Sequence, residues 1–211
     1  MAIGTETRVE APTEETRYRM SAAQYFRAVE ADVFPDKERV FLRDGQIYTK
    51  MAKKIPHSAA SACVTTALIS VIPRGWGIWP ENPILTNEFS APLPDLCVVR
   101  GHPADYYRRG SHPTAGEISL VVDIAETSLR ADRNAALSDY ARAGLPVYWI
   151  VNLIDWQIEV YTRPETVEGT PRYASREDFT ADREVPVTID GVEVARVPAS
   201  LILPGDRRLD V

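Results

Sequence analysis

The sequence predicts an α/β protein of the α+β kind, a mixed central sheet flanked by helices. Three observations predict it. Two runs, 118–125 and 147–153, are apolar at nearly every position, as central strands covered on both faces are. A helical segment over about 133–142 joins them and is stopped by Gly144 and Pro146. Around this unit the elements read helix, hairpin, helix, strands, helix, strands, an order that fits a layered sandwich rather than a doubly wound sheet.

Each element has a local reason. Residues 1–19 are polar and charged without periodicity and read as a flexible leader; 20–211 read as one domain. Ser21 with Gln24 three residues on forms a capping-box pattern, which predicts a helix through Ala31. Asp44-Gly45 between β-prone residues predicts a hairpin of 39–42 with 46–50. Pro56 opens a second helix, whose apolar pairs at 63/64, 67/68 and 71/72 recur every four residues until Pro73 and Gly75. The segment 76–88 is expected to hold one strand, at 84–86, and 95–100 is a further strand. Residues 101–116 read as a Pro/Gly-punctuated loop carrying His102, Arg108, Arg109 and His112. After the central unit, 156–162 alternates and pairs back through a turn at Ile154-Asp155; 163–184 reads as polar loop, and 185–189 with 192–197 as a last hairpin around Asp190-Gly191.

The 211 residues suffice for one sizeable core. Two cysteines, Cys63 and Cys97, both in apolar runs, read as reduced core residues. With no signal-like or membrane-spanning run, the chain is expected to be cytoplasmic. Its net charge of −6 and pI near 5.2 argue against a general nucleic-acid coat, which needs a basic surface, but not against an acidic metal site with a local basic groove.

Acids in apolar strands carry the chemistry. Asp123 lies inside a Leu-Val-Val-Asp-Ile-Ala run, against both burial and β-propensity. Asp95 follows Pro94 at a strand start, where it reads either as a turn aspartate or as a site residue. If the two strands are neighbours, about 4.8 Å apart, the carboxylates repel unless a cation sits between them. Magnesium takes one or two carboxylates with a main-chain carbonyl, here that of Ile124 or Ala125, and waters; such an ion polarises a phosphodiester and activates a water. Asp132 reads chiefly as a helix N-cap, Tyr140 and Tyr148-Trp149 chiefly as packing residues, and Glu126 as meeting either solvent or Arg130. His57 could face a ligand or a carboxylate, although a lone histidine at a helix start is more often structural. Lys50, Lys53 and Lys54 read equally as a solvated charge run or as a phosphate-attracting rim.

From Ser21 to about Leu153 the chain resembles the Uma-two family of restriction endonuclease-like proteins, within the PD-(D/E)XK nuclease superfamily. The resemblance rests on Met20 to Phe26, Leu42-Arg43-Asp44-Gly45-Gln46-Ile47, His57, Pro94-Asp95, Val121 to Ala125, Asp132-Arg133 and Tyr140 to Trp149, in that order and spacing. It implies a metal-dependent nuclease core with a restriction endonuclease-like fold. Asp95 matches the Asp of the Pro-Asp motif and Asp123 the second acid. The superfamily lysine two residues later is Ala125, and the helix position that carries it in this family is Ala136. The family's frequent Glu before the Asp-Gly turn is Phe41. Arg133 then stands as a substitute for charge stabilisation, though not as a base.

Two functions follow from the sequence. The first is a Mg²⁺- or Mn²⁺-dependent endonuclease on DNA, with Asp95 and Asp123 holding the ion, Arg133 assisting, and His57, Lys53, Lys54, Arg108 and Arg109 on the substrate side. The second is a catalytically degenerate nuclease fold that binds nucleic acid or protein. A homodimer, with the C-terminal hairpin as interface, is expected by analogy with enzymes that cut two strands.

Overall fold

The computed structural model describes residues 17–35 and 39–205. The leader expected at 1–19 lies, through residue 16, outside the described residues. α1 (Ala22–Glu30) starts at the expected capping box: Ser21 Oγ accepts from the Gln24 amide at 3.3 Å, and Gln24 Oε1 from the Ser21 amide at 2.8 Å. β1 (Arg39–Arg43) and β2 (Gln46–Lys50) form the expected antiparallel hairpin. Its turn residues Asp44 and Gly45 have φ of +47° and +80°, the mirror-image geometry that suits a right-twisted hairpin. Gly45 is required twice over, because a Cβ there would lie 2.7 Å from Arg19 Cβ. α2 (Ile55–Ile69) opens with proline in its first turn and buries Ala60, Val64, Ala67 and Leu68.

Six strands then form the central sheet, in the spatial order β3-β4-β5-β6-β7-β8. They are β3 (Trp76–Pro80), β4 (Leu96–Arg100), β5 (Ile118–Ala125), β6 (Val147–Asn152), β7 (Gln157–Val167) and β8 (Thr170–Thr180). Only β5 and β6 run parallel, joined by a helical crossover; every other pair is antiparallel. α2 and the hairpin of β9 (Glu184–Ile189) and β10 (Val192–Pro198) cover one face, over Val98, Leu120, Val122, Ile124, Trp149 and Val151. α3 (Pro103–Arg109) and the crossover helix cover the other, over Cys97, Val99, Val121, Tyr148 and Ile150. Covering both faces makes the central strands apolar at consecutive positions. Trp149 is wholly buried in the first cluster, where truncation to alanine is expected to cost about 3–5 kcal/mol. Cys97 is buried, Cys63 half-buried, and both are free. No helix among the described residues is long and apolar enough to cross a membrane.

Four expectations are corrected. The strand of the 76–88 segment is β3, while 84–86 contributes a single bridge, Leu85 to Thr114; the Gly and Pro of Trp-Gly-Ile-Trp-Pro hide a strand that only a sheet edge tolerates. The 101–116 loop holds α3, capped by His102, whose Nδ1 accepts from the Ala104 amide. Residues 163–184 are mostly strand: β7 and β8 continue as a ribbon whose outer half is largely exposed, so no apolar alternation marks it. The crossover helix starts earlier than expected. It comprises α4 (Leu129–Ala131), a π-helical turn (Asp132–Ala136) and α5 (Leu137–Arg142), which places Asp132 inside the helix rather than at its N-cap.

Candidate active site

The antiparallel register of β4 on β5, with Leu96 opposite Val122, brings residue 95 beside residue 123. Both carboxylates are almost fully buried. Asp95 Oδ2 accepts from the Ile124 amide at 2.9 Å and meets His57 Nε2 at 3.1 Å. Asp123 Oδ2 accepts from the hydroxyls of Tyr140 and Tyr148, each at 3.1 Å, and its Oδ1 from the Asp95 amide at 3.3 Å. Further contacts come from the end of β2: Lys50 Nζ lies 3.0 Å from Asp95 Oδ1 and 3.3 Å from Asp123 Oδ1. Lys53 Nζ adds a weaker approach to Asp95 at 3.4 Å. The cation that the pair of acids requires is thus supplied by the chain itself.

The electrostatics follow. Burial raises the Asp95 carboxyl, but hydrogen bonding to His57 and the charge of Lys50 outweigh it and hold the group well below the usual range. Asp132 has the opposite balance. Burial, then the charge of Asp123, push it up to about 7, against a hydrogen bond from Ser128 at 2.6 Å. Burial and the charge of Asp123 likewise drive the Tyr140 and Tyr148 hydroxyls well above their ordinary value, so both remain donors.

A cleft of about 360 Å³ adjoins these groups, walled by Arg39, Arg43, Lys50, Lys53, His57, Asp123, Glu126, Asp132, Ala136 and Tyr140 among others, with Asp95 reached through its contacts to Lys50, Lys53 and His57. Phe41 also lies on the wall, stacked on Tyr48 at 5.5 Å between ring centroids. Ala136 and Phe41 therefore face the cleft with apolar side chains. Glu126, expected toward solvent or Arg130, is part of the wall too.

The structure brings Asp95, Asp123, His57 and Lys53 together, and not the other expected residues. Arg133 turns away from the acids: it pairs with Glu159, at 3.1 Å from Nε to Oε2, and with Asp155 at 3.3 Å. Successive residues of a helix point in different directions; here Asp132 lines the cleft while Arg133 leaves it for Glu159. Lys54 is exposed and off the cleft wall, although it immediately precedes α2. Arg108 pairs with Asp105, and Arg109 with Glu117 at 2.6 Å, where it lines a separate cavity. The basic residues that reach the cleft instead are Arg39, Arg43 and Lys50. For these the available signal was the hairpin itself: 39, 43 and 50 flank the Asp-Gly turn on strands that close over the site.

A mostly antiparallel sheet flanked by helices, with paired acids beside adjoining strands, fits a restriction-endonuclease-like fold. The chain belongs to the Uma2 family, described as "Putative restriction endonuclease", whose model matches residues 22–195. It is similar in structure to a putative nuclease belonging to DUF820 from Anabaena variabilis ATCC 29413, at 18% sequence identity and a TM-score of 0.56, covering 83% of this chain and 96% of that one. At that identity the likeness shows the fold. None of the curated proteins matches the chain.

Restriction-endonuclease-like proteins generally use divalent metals. Among the described residues no group of three or more His, Cys, Asp or Glu side chains is arranged to hold a metal ion. Two carboxylate oxygens nevertheless converge on one cationic point, that of Lys50 Nζ, and oxygen donors at a shared point suit a hard divalent ion. The donor set fits such an ion once the ammonium moves aside. Of the two carbonyls expected to complete it, Ala125 O accepts from the Leu153 amide at 2.9 Å and Ala125 belongs to the core, whereas Ile124 borders the cleft.

Proposed function

We propose that this protein is a Mg²⁺- or Mn²⁺-dependent endonuclease that hydrolyses DNA phosphodiester bonds. The observation that carries the reading is the convergence of Asp95, buried just before β4, and Asp123, buried on β5, upon one cation position beside a cleft with basic walls. Asp95 and Asp123 would hold the ion, and His57 orients Asp95 from behind. When bound, the ion would polarise the phosphodiester and activate the attacking water. Tyr140 and Tyr148 fix the Asp123 carboxylate by donating to its far oxygen.

On the substrate side, Arg39 supports the reading. Its Nη1 and Nη2 are buried without a hydrogen-bond partner among the described residues, and its contact to Glu81 is a loose 3.4 Å. A planar guanidinium with unused donors at a cleft suits a phosphate. Lys53 stands beside it.

The test is plasmid and single-strand cleavage with Mn²⁺ or Mg²⁺, comparing wild type with Asp95→Asn and Asp123→Asn. Loss of cleavage in both folded variants is expected. Cleavage that survives the double substitution would remove the site from the reaction.

A second reading has its own observation. Ala136 and Phe41 present apolar side chains where the resemblance implies polar ones, which suits a degenerate fold that binds nucleic acid or a protein partner. It requires DNA or partner binding to survive Asp95→Asn with Asp123→Asn while cleavage is absent from the wild type.

Pairing of two copies would serve double-strand cutting. The C-terminal hairpin offers less surface for it than the sequence suggests: Val185, Val187, Ile189 and Val197 are buried in the protein's own core, leaving Val192 and Val194 exposed. Sedimentation of the purified protein tests the dimer.

A further inference from the structure

Lys50 ends β2 and reaches across the mouth of the site. Its Nζ meets Asp95 Oδ1 at 3.0 Å, Asp123 Oδ1 at 3.3 Å and the Leu93 carbonyl at 2.9 Å. An ammonium has three donors, and here three oxygens surround it. We infer that Lys50 is a tethered counter-ion seated on the cation position of the Asp95–Asp123 pair, and that a divalent metal binds by displacing this ammonium into the cleft, where it faces the substrate phosphate. The inference rests on the metal-site reading proposed above and adds to it a residue that competes with the metal in the free protein.

Three observations carry it. First, the point is already in use. Two carboxylates and a carbonyl are the donor types a hard divalent ion takes, at about 2.0–2.6 Å from each oxygen. An ammonium in contact with the same oxygens leaves no room for it, and two cations that close repel strongly. Secondly, the ammonium has somewhere to go. Lys50 lines the cleft, its side chain is 25% exposed, and the residue after it, Met51, is exposed. The cleft holds about 360 Å³, and its wall includes the small side chains of Ala131 and Ala136, which leave room for a lysine head. Thirdly, its neighbour is not equivalent. Lys53 is held by Glu81 at 2.5 Å and touches only Asp95, at 3.4 Å, so its charge is neutralised from outside the acid pair. Lysine suits this dual role better than arginine, being a compact charge on a flexible stem.

The experiment is calorimetric titration of Mn²⁺ into wild type, Lys50→Met and Lys53→Met, each checked for folding by thermal melting. Lys50→Met is expected to bind Mn²⁺ at least about tenfold more tightly than wild type, since a positive charge leaves the site. Lys53→Met, which removes the same formal charge one contact further out, is expected to change affinity far less. Wild type and Lys50→Met binding Mn²⁺ equally, or both lysine variants gaining equally, would overturn the inference and leave the metal site standing. No binding to wild type or to folded Lys50→Met at millimolar Mn²⁺ would overturn both. A second measurement needs no variant. Amine-reactive labelling of the wild type, read by peptide mass spectrometry, should modify Lys50 faster with Mn²⁺ than without it; an unchanged rate in protein that binds Mn²⁺ would also overturn the displacement.

Discussion

Two buried acidic clusters lie on this sheet, and they are built differently. Glu159, wholly buried on β7, is enclosed by Arg133, Asn152 at 2.7 Å, Tyr161 at 2.7 Å and Arg176 at 3.4 Å. Its partners are the planar forks of arginine and fixed amide and phenol groups. Asp95 and Asp123 are held instead by two lysines, a histidine and two tyrosines, beside a cleft whose wall includes Asp123. The first cluster is a clasp. It ties the π turn of the crossover helix to β6, β7 and β8, and so holds Asp132 and Ala136 toward the cleft. In the second, the central cation rides on a flexible stem and can be exchanged. Arginine stays charged and locks geometry, whereas a lysine counter-ion leaves a site open to substitution.

The largest expected effect breaks the clasp. Glu159→Ala leaves Arg133 and Arg176 without their shared acceptor. Removing one partner of a buried ion pair costs about 3–5 kcal/mol, and the partial exposure of both arginines places this case near about 3. Urea unfolding would measure it, and a loss below about 1 kcal/mol would show that the clasp is not structural.

Acid and base separate the regions next. Burial raises the Glu159 carboxyl, but Arg133, Tyr161 and Asn152 outweigh it and hold it below its ordinary value. Its stabilisation is therefore present above the unfolded carboxylate range and is lost as pH falls below that range through the group's lower folded value. Asp132, pushed up to about 7 from an ordinary 3.8, has the reverse sign: the folded protein retains a proton that the unfolded chain releases, so stability declines as pH rises from about 4 to 7. Asp132→Asn should therefore be at least about 1 kcal/mol more stable than wild type at pH 8, and indistinguishable from it near pH 4. Denaturation curves at the two pH values check the sign. A uniform shift at both would indicate a packing effect.

The finest comparison concerns a single hydroxyl. Tyr140→Phe removes one of the two donors on Asp123 Oδ2 while keeping the ring against Tyr148. The expected loss is about 1 kcal/mol in stability, with about 10–100-fold weaker Mn²⁺ binding. Tyr161→Phe, the same change at Glu159, should cost similar stability and leave Mn²⁺ binding untouched. Equal metal effects in both variants would erase the distinction between the clusters.

Much of this was legible along the chain. The capping box at Ser21, the Asp-Gly turn at 44–45 and the fully apolar strands around Asp123 are local signals, each with a local cause, and the structure holds each element there. β3 and the β7–β8 ribbon were not legible, because an edge strand and an exposed ribbon gain their pairing from neighbours rather than from apolar alternation. The acids were singled out because a carboxylate in an apolar strand is costly wherever it lies. Of their partners, His57 and Lys53 were named as substrate-side residues, but the seating of Lys50 between the two acids was not legible. Arg133 and Lys54 lie close in sequence to Asp132 and His57, yet the site excludes them, while Lys50 and Arg39 arrive from a separate hairpin.

By itself the sequence determined the Asp44-Gly45 hairpin, the capped start of α1, the identity of the central strands and the two acids that need a cation. Tertiary structure alone decided which cation answers them. Periodicity and turn chemistry act over a few residues, but a charge is satisfied by whichever group the fold brings within about 3 Å. Here a strand register of β4 on β5 and the reach of one lysine from β2 make that choice.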